Sequence, residues 1–319
     1  MTVPAAVPPF PPLSATPLGL DARALLDAME PFVVRHVSRS DPAWREEVAR
    51  KTDKTRRRLR RRRLLGWIGV ARRDQRRIEA EYAEAWSRKG FAPYAGDDRS
   101  ATVMAWQYGD AAMFATAASG SRARLLVLMR AVAFLRPRSV LEVGCGNGVN
   151  LLCLAARFPD VRFAGVELTR GGVDVLRGAL REPELPAALA TFSPEAPADR
   201  RAHRRIAVHR GTAARLPFRD GAFDLVYSSL ALEQMEEVRE DALSEMARVA
   251  ARHTLMLEPF AESNAAGLPL DYRRARDHFA GAVRDLPRYG LEPVLVTDDL
   301  PGEIFLRPCL AICRKRGAA

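Results

Sequence analysis

The chain has 319 residues and sets 50 Lys and Arg against 39 Asp and Glu, a formal net charge of +11. Residues 51–78 alone hold 13 basic and 2 acidic side chains, so the remaining positions balance and a basic surface spread over the whole molecule is excluded. A hydrophobic content of 48% with 28% charged residues excludes wholesale disorder, and the length suggests roughly two domains, each able to bury a core.

Residues 1–20 carry Pro4, Pro8, Pro9, Pro11, Pro12 and Pro17, no basic residue and no apolar run. They read as an extended, disordered arm rather than a secretory signal. From Asp21 the apolar residues Leu25, Leu26, Met29, Phe32 and Val33 recur at helical steps, and Ser40-Asp41-Pro42 is a helix start. The basic run Lys51–Arg63 follows, then Leu64-Leu65-Gly66-Trp67-Ile68-Gly69-Val70, then Arg72–Arg77. Tyr82 and Trp86 continue a helical pattern to Gly90, and a second helical stretch is expected over Ala101–Ala118. Residues 21–120 are thus expected to be an α-helical region.

After Gly120 the pattern changes. An apolar helix over Leu125–Leu135 ends at Arg136-Pro137, and strands then alternate with helices, which predicts a parallel sheet covered on both faces. The strands are expected at Ser139–Val143, Arg162–Glu167, Arg205–His209, Phe223–Ser228, Thr254–Glu258, Leu291–Thr297 and Cys309–Arg314. Helices are expected near Gly148–Arg157, Gly171–Arg181 and Glu236–Ala250. The proline-bearing stretch Pro183–Arg201 reads as a loop insertion. Residues 121–319 form the second expected domain, α/β and Rossmann-like in architecture.

The run Val140-Leu141-Glu142-Val143-Gly144-Cys145-Gly146-Asn147-Gly148 sends an apolar strand into three alternating glycines and then a helix. Glycines there let backbone approach a ligand at the strand's carboxyl end. Nineteen residues past Gly148 stands Glu167, at the end of the next strand, where a carboxylate accepts hydrogen bonds from ribose hydroxyls. Glu142 to Gly148 with Glu167 behind it resembles the first two motifs of the class I S-adenosylmethionine-dependent methyltransferases. Gly211–Phe218 followed by Asp220–Val226 is similar to that family's next two.

The resemblance covers about residues 120–319. It implies a seven-stranded, mostly parallel sheet with helices on both faces and S-adenosylmethionine as cofactor. It places Glu142, Gly144 and Gly146 around the methionine end, Glu167 on the ribose, Leu168 on the adenine with Thr212 and Ala213 near it, and leaves Cys145, Gly148 and Ser228 as further cofactor-binding candidates. Many relatives carry Asp where Thr212 stands, and the hydroxyl offers a weaker acceptor to the adenine amino group. Where relatives often read Leu-x-His, this chain has Leu232-Glu233-Gln234-Met235, so no base is assigned from the family pattern.

Gln234, Glu258 and Tyr272 are the candidate acceptor-side residues; Glu258 reads either as pocket lining or as a buried structural carboxylate. The five histidines and four cysteines show no ligand spacing, which argues against a metal and for reduced thiols in a cytoplasm. The expected reaction is methyl transfer to oxygen or nitrogen of a small-molecule or lipid-like acceptor. RNA methylation and a catalytically silent, cofactor-binding role are the alternatives. The basic segment 51–78 has three readings: a solvated helix face, an anionic membrane contact that would make the protein peripheral, and an RNA contact. Oligomeric state is not legible.

Overall fold

A computed structural model describes residues 10–65, 90–96 and 101–318. Residues 1–9 of the proline-rich arm, Trp67, Ile68, Val70, Arg72–Arg77, Tyr82 and Trp86 lie outside the described residues. Residues 10–20 are seated rather than loose, because Leu13, Leu18 and Leu20 bury their side chains between the prolines. The Leu13 N–H donates to Asp299 Oδ2 at 2.9 Å and Thr297 Oγ1 donates to the Pro11 carbonyl at 2.7 Å, which ties this segment to the far end of the chain.

Helix α1 (Ala22–Met29) starts at the Asp21 cap, whose carboxylate accepts from the Ala24 N–H, and leads to strand β1 (Val33–Val37). Helix α2 (Pro42–Leu65) contains the basic run. The helix expected over 101–118 is instead a hairpin of β2 (Val103–Tyr108) and β3 (Ala111–Thr116), followed directly by α3 (Ala117–Leu135). Tyr108 pairs with Ala111 across a two-residue turn, and Gly109 takes φ +53°. Glycine at the first turn position suits the hairpin geometry whose twist matches the strands, and this local signal overrides the helical propensity of the alanines.

Beyond α3 come β4 (Ser139–Val143), α4 (Val149–Arg157), β5 (Arg162–Glu167), α5 (Arg170–Arg181), α6 (Ala187–Phe192) and β6 (Ala207–Arg210). They are followed by β7 (Phe223–Ser229), α7 (Arg239–Val249), β8 (Ala250–Glu258), α8 (Gly267–Arg276), β9 (Leu291–Thr297), β10 (Gly302–Glu303) and β11 (Cys309–Lys315). The seven-stranded sheet runs β6-β5-β4-β7-β8-β11-β9, with β11 antiparallel to both neighbours and the other pairs parallel. All five residues of β4 are buried, as a strand covered on both faces requires. The order reverses beside β4, between β5 and β7, so a crevice opens at the carboxyl ends of these strands. The Rossmann-like α/β architecture is as expected; the insertion after Pro183 adds the short helix α6, which the prolines concealed.

The second sheet, β1-β3-β2-β10, is antiparallel throughout. Its last strand comes from the carboxyl-terminal part of the chain, so Glu303 lies opposite Trp106 of β2. The same core cluster joins Leu25, Met29 and Met113 to Leu152, Tyr227 and Leu310. Helix α2 lies against α8: Arg62 Nη1 donates to the Arg274 carbonyl at 3.0 Å, and its Nη2 pairs with Asp277.

Candidate active site

The glycine loop leaves β4 with Gly144 at φ +74°, Gly146 at +54° and Gly148 at +81°, a left-handed region that strains any residue with a Cβ. The Gly144 and Cys145 N–H groups both donate to the Val166 carbonyl, at 2.8 and 3.1 Å, which fixes the loop against β5. A Cβ on Gly144 would stand 2.5 Å from that of Ala231, so the loop after β7 lies directly against the glycine loop.

Glu167 ends β5 and faces this loop. Its Oε2 accepts from the Gly146 N–H at 2.9 Å, and its Oε1 accepts from the Thr169 N–H and hydroxyl at 2.9 and 2.7 Å. Thr169 caps α5 by accepting from the Gly172 N–H. One carboxylate therefore sets the glycine loop and a helix start together. Oε1 has both lone pairs engaged by Thr169, and Oε2 keeps a second lone pair for a ligand.

An open cleft of about 710 Å³ is lined by Gly144, Gly146, Glu167, Leu168, Thr169, Thr212, Ala213 and Gln234 together with Val166, Gly211, Leu230, Ala231 and Met235. Seven residues singled out in the sequence are in this wall: Gly144, Gly146, Glu167, Leu168, Thr212, Ala213 and Gln234. Thr212 Oγ1 accepts from the Ala214 N–H at 3.3 Å, so the hydroxyl also shapes its own turn.

The other candidates lie elsewhere. Glu142 is buried beneath the loop, where Oε1 accepts from Asn150 Nδ2 at 2.9 Å. Burial pushes its carboxyl up to about 8, against the pull of the Asn150 and Tyr227 donors. Cys145 is a packing residue: its Sγ comes within 2.7 Å of where a Cβ on Gly165 would stand, and burial raises its thiol far above the ordinary range. Gly148 is outside the cleft wall, where an added Cβ would stand 2.4 Å from the Leu176 side chain, and Ser228 is fully buried.

Glu258 is a structural carboxylate, not pocket lining. It is fully buried, and Oε1 accepts from the Ala231 and Leu232 N–H groups at 3.0 and 3.1 Å while Oε2 accepts from Glu233 N–H at 3.2 Å. It thus anchors the cleft-wall segment after β7. Burial, reinforced by the neighbouring Glu233 charge, pushes its carboxyl up to about 8, and the N–H donors act in the opposite direction. Tyr272 on α8 is outside the cleft wall, with its ring 4.5 Å from Phe305 and 5.4 Å from His278.

Six wall residues are not among the sequence candidates: Val166, Thr169, Gly211, Leu230, Ala231 and Met235. Thr169 was legible as a polar helix cap next to Glu167. Met235 and Leu230 carried no local signal. Leu230 has φ +50°, a strained conformation held by its N–H donating to the Leu257 carbonyl at 2.9 Å.

The wall offers groups that S-adenosylmethionine can use. Gly144, Gly146 and Gly211 line the cleft without Cβ atoms, Glu167 Oε2 keeps an acceptor site for a hydroxyl group, and Leu168, Ala213 and Met235 are apolar surfaces for a base.

Residues 141–257 match the family described as a methyltransferase domain. Over 116 residues the chain is 32% identical to ajmaline N-methyltransferase of Rauvolfia serpentina, covering 36% of this chain and 33% of that protein. A shorter stretch of 46 residues is 52% identical to a tRNA (guanine-N(7)-)-methyltransferase of Leifsonia xyli, 14% of this chain and 20% of the relative. The chain thus spans a third or less of the length of these two relatives. The solved structure of the [4+2]-cyclase SpnF is similar in fold, with a TM-score of 0.50 at 14% identity over 77% of this chain and 97% of that one. That likeness speaks for the fold alone. Residues 141–257 of this chain thus carry the match to a methyltransferase domain, on a Rossmann-like sheet.

Proposed function

We propose that the protein transfers a methyl group from S-adenosylmethionine to oxygen or nitrogen of a small-molecule acceptor. The observation that carries this reading is the convergence of Gly144, Gly146, Glu167 and Leu168 on one open cleft at the sheet's switch point. Bound there, the sulfonium cofactor supplies an electrophilic methyl group, and the protein's task is to bring a nucleophile into line. Glu167 binds the ribose hydroxyls, and Thr169 and Gly146 fix that carboxylate so it need not reorganise. Leu168 and Ala213 hold the adenine, with the Thr212 hydroxyl accepting from its amino group. The segment 230–235, anchored by Glu258, closes the methyl-bearing side and excludes water. Incubating the protein with methyl-labelled cofactor and total cell extract, then separating small molecules, lipids, RNA and protein, tests the reading. Label should enter the small-molecule or lipid fraction; label in RNA alone supports the RNA alternative instead.

The basic helix supports a second proposal, peripheral contact with an anionic lipid surface. Arg56, Arg57, Arg58, Arg60, Arg61 and Arg63 are exposed, and Leu64 is 74% exposed at the end of their row. Arginines beside an exposed apolar residue suit an interface that is anionic outside and apolar within.

A further inference from the structure

Beyond Gln234, a second group of polar side chains stands between the cleft and the antiparallel sheet. Gln234 Nε2 donates to Glu233 Oε1 at 2.8 Å, and the Phe279 N–H donates to the Glu233 carbonyl at 3.2 Å. Next to Phe279, His278 meets the Tyr272 ring, which in turn packs on Phe305. Lys51 Nζ of α2 lies 4.3 Å from the centre of the Phe305 ring. Two residues before Phe305 comes Glu303, held on β10 by its pairing with Trp106.

Charges from four elements meet around Glu303. Arg124 of α3 and Lys51 of α2 act on it directly, and Tyr272 of α8 lies within the field of both Glu303 and Glu233. Arg124 is itself held by Nη2 donating to Ser121 Oγ at 3.0 Å. Lys51, Arg124, Tyr272 and Glu303 are all half-buried. Half-buried ionic groups are tolerated where water or a ligand reaches them, so this cluster keeps an exposed side rather than forming part of a sealed core. Among the described residues, no group donates a hydrogen bond to the Glu303 carboxylate, and neither Arg124 nor Lys51 comes within ion-pair distance of it.

A carboxylate with free lone pairs, two cations nearby and aromatic rings beside it has a definite ligand preference. An ammonium would be repelled by Arg124 and Lys51. A neutral aromatic hydroxyl satisfies the carboxylate as donor and stacks on Tyr272 and Phe305, and any negative charge it develops falls beside the two cations. We propose that this cluster forms the acceptor site and that Glu303 binds the hydroxyl of a phenolic acceptor and takes its proton during methylation. The proposal rests on the methyltransferase reading above. The O–H proton passes to the Glu303 carboxylate, and the oxygen's electron pair forms the new bond to the methyl carbon. The carbon–sulfur bond of the methyl donor breaks toward sulfur, which leaves as a neutral thioether, and Glu303 then returns its proton to water. Burial pushes the Glu303 carboxyl up to about 7, opposed by Arg124 and Lys51, which suits a proton acceptor working near neutrality.

The test uses the full chain, labelled S-adenosylmethionine and a panel of simple phenols (phenol, catechol, 2-naphthol and 4-nitrophenol), with benzylamine as the amine comparison. Label should enter one or more phenols and not the amine. Glu303→Gln should lower kcat about 100-fold, remove the acidic limb of the pH profile near 7, and leave calorimetric cofactor affinity within about twofold, since Glu303 is not in the cofactor cleft wall. Glu303→Asp, which keeps a carboxylate, should recover part of the rate and controls for folding. Turnover of the amine alone, no turnover of the panel by cofactor-bound protein, or an undiminished Glu303→Gln rate each overturns the proposal. Wild-type protein that fails to bind the cofactor overturns the methyltransferase reading first, and the acceptor site falls with it.

Discussion

Glu167 Oε2 accepts the Gly146 N–H at 2.9 Å, so the carboxylate at the end of β5 holds the glycine loop at the end of β4 in place. Replacing it by glutamine turns one acceptor into a donor facing either that N–H or the Thr169 pair. Glu167→Gln should therefore lose about 1.5–3 kcal/mol of cofactor affinity through the ribose contacts. It should also lower unfolding stability by about 1–3 kcal/mol through the unmatched N–H. Calorimetry and denaturant titration of one preparation measure both. Unchanged stability would mean that the loop does not depend on this carboxylate.

Gly144 has φ +74°, and a Cβ there would meet Ala231 at 2.5 Å. Gly144→Ala should destabilise the fold by about 1–3 kcal/mol by overpacking and backbone strain. The displaced segment should also weaken cofactor binding, because Ala231 and Gly144 share the cleft wall. Gly178→Ala is the contrast: its added Cβ meets nothing within 4 Å, and it sits in α5, where alanine is the better helix former. That variant should be neutral or slightly stabilised in thermal melts.

Glu142 has its carboxyl raised from 4.5 to about 8. The folded protein holds a proton that the unfolded chain releases, so this contribution is fully present below about 4.5 and is lost as pH rises to about 8. Glu142→Gln cannot ionise, and its amide oxygen still accepts from Asn150. The variant's unfolding midpoint should fall less than that of the wild type between about pH 5 and 8, with the gain greatest at the alkaline end. Melting both proteins across that range checks the sign.

The exposed arginines of α2 test the lipid-surface proposal. Arg62 is left in place because it ties α2 to Asp277 and Arg274. Changing Arg56, Arg57, Arg58, Arg60, Arg61 and Arg63 to Gln should abolish sedimentation with anionic liposomes, at about 1 kcal/mol per basic residue. Wild-type protein should dissociate as salt rises and should ignore neutral liposomes. Cofactor affinity should be unchanged, since no arginine of α2 is in the cleft wall. Wild-type binding to RNA with a steep salt slope, and not to liposomes, would support the RNA alternative.

The glycine loop, Glu167 and the seven strands of the larger sheet were legible because their signals are local: a mostly apolar strand, glycines at fixed offsets, a carboxylate at the next strand's end. The hairpin at Val103–Thr116 was not, because its alanines carry helical propensity and only Gly109-Asp110 marks the turn. Glu258 sits at a strand end where it would reach a pocket, yet its direction is set by three N–H groups some 25 residues earlier in sequence. Glu303 and Arg124 were missed because nothing local joins them. Their meeting depends on β10 pairing with β2, a contact between segments nearly 200 residues apart. A single carboxylate within Leu300-Pro301-Gly302-Glu303-Ile304-Phe305 was the one signal available.

The central claim is that the cleft around Gly144, Gly146 and Glu167 binds S-adenosylmethionine, and isothermal titration of that molecule into the full chain tests it most directly. The account predicts saturable one-to-one binding, competed by S-adenosylhomocysteine and weakened in Glu167→Gln while Glu303→Gln binds as wild type. Absence of heat and of competition, in protein whose melt is cooperative, would contradict it.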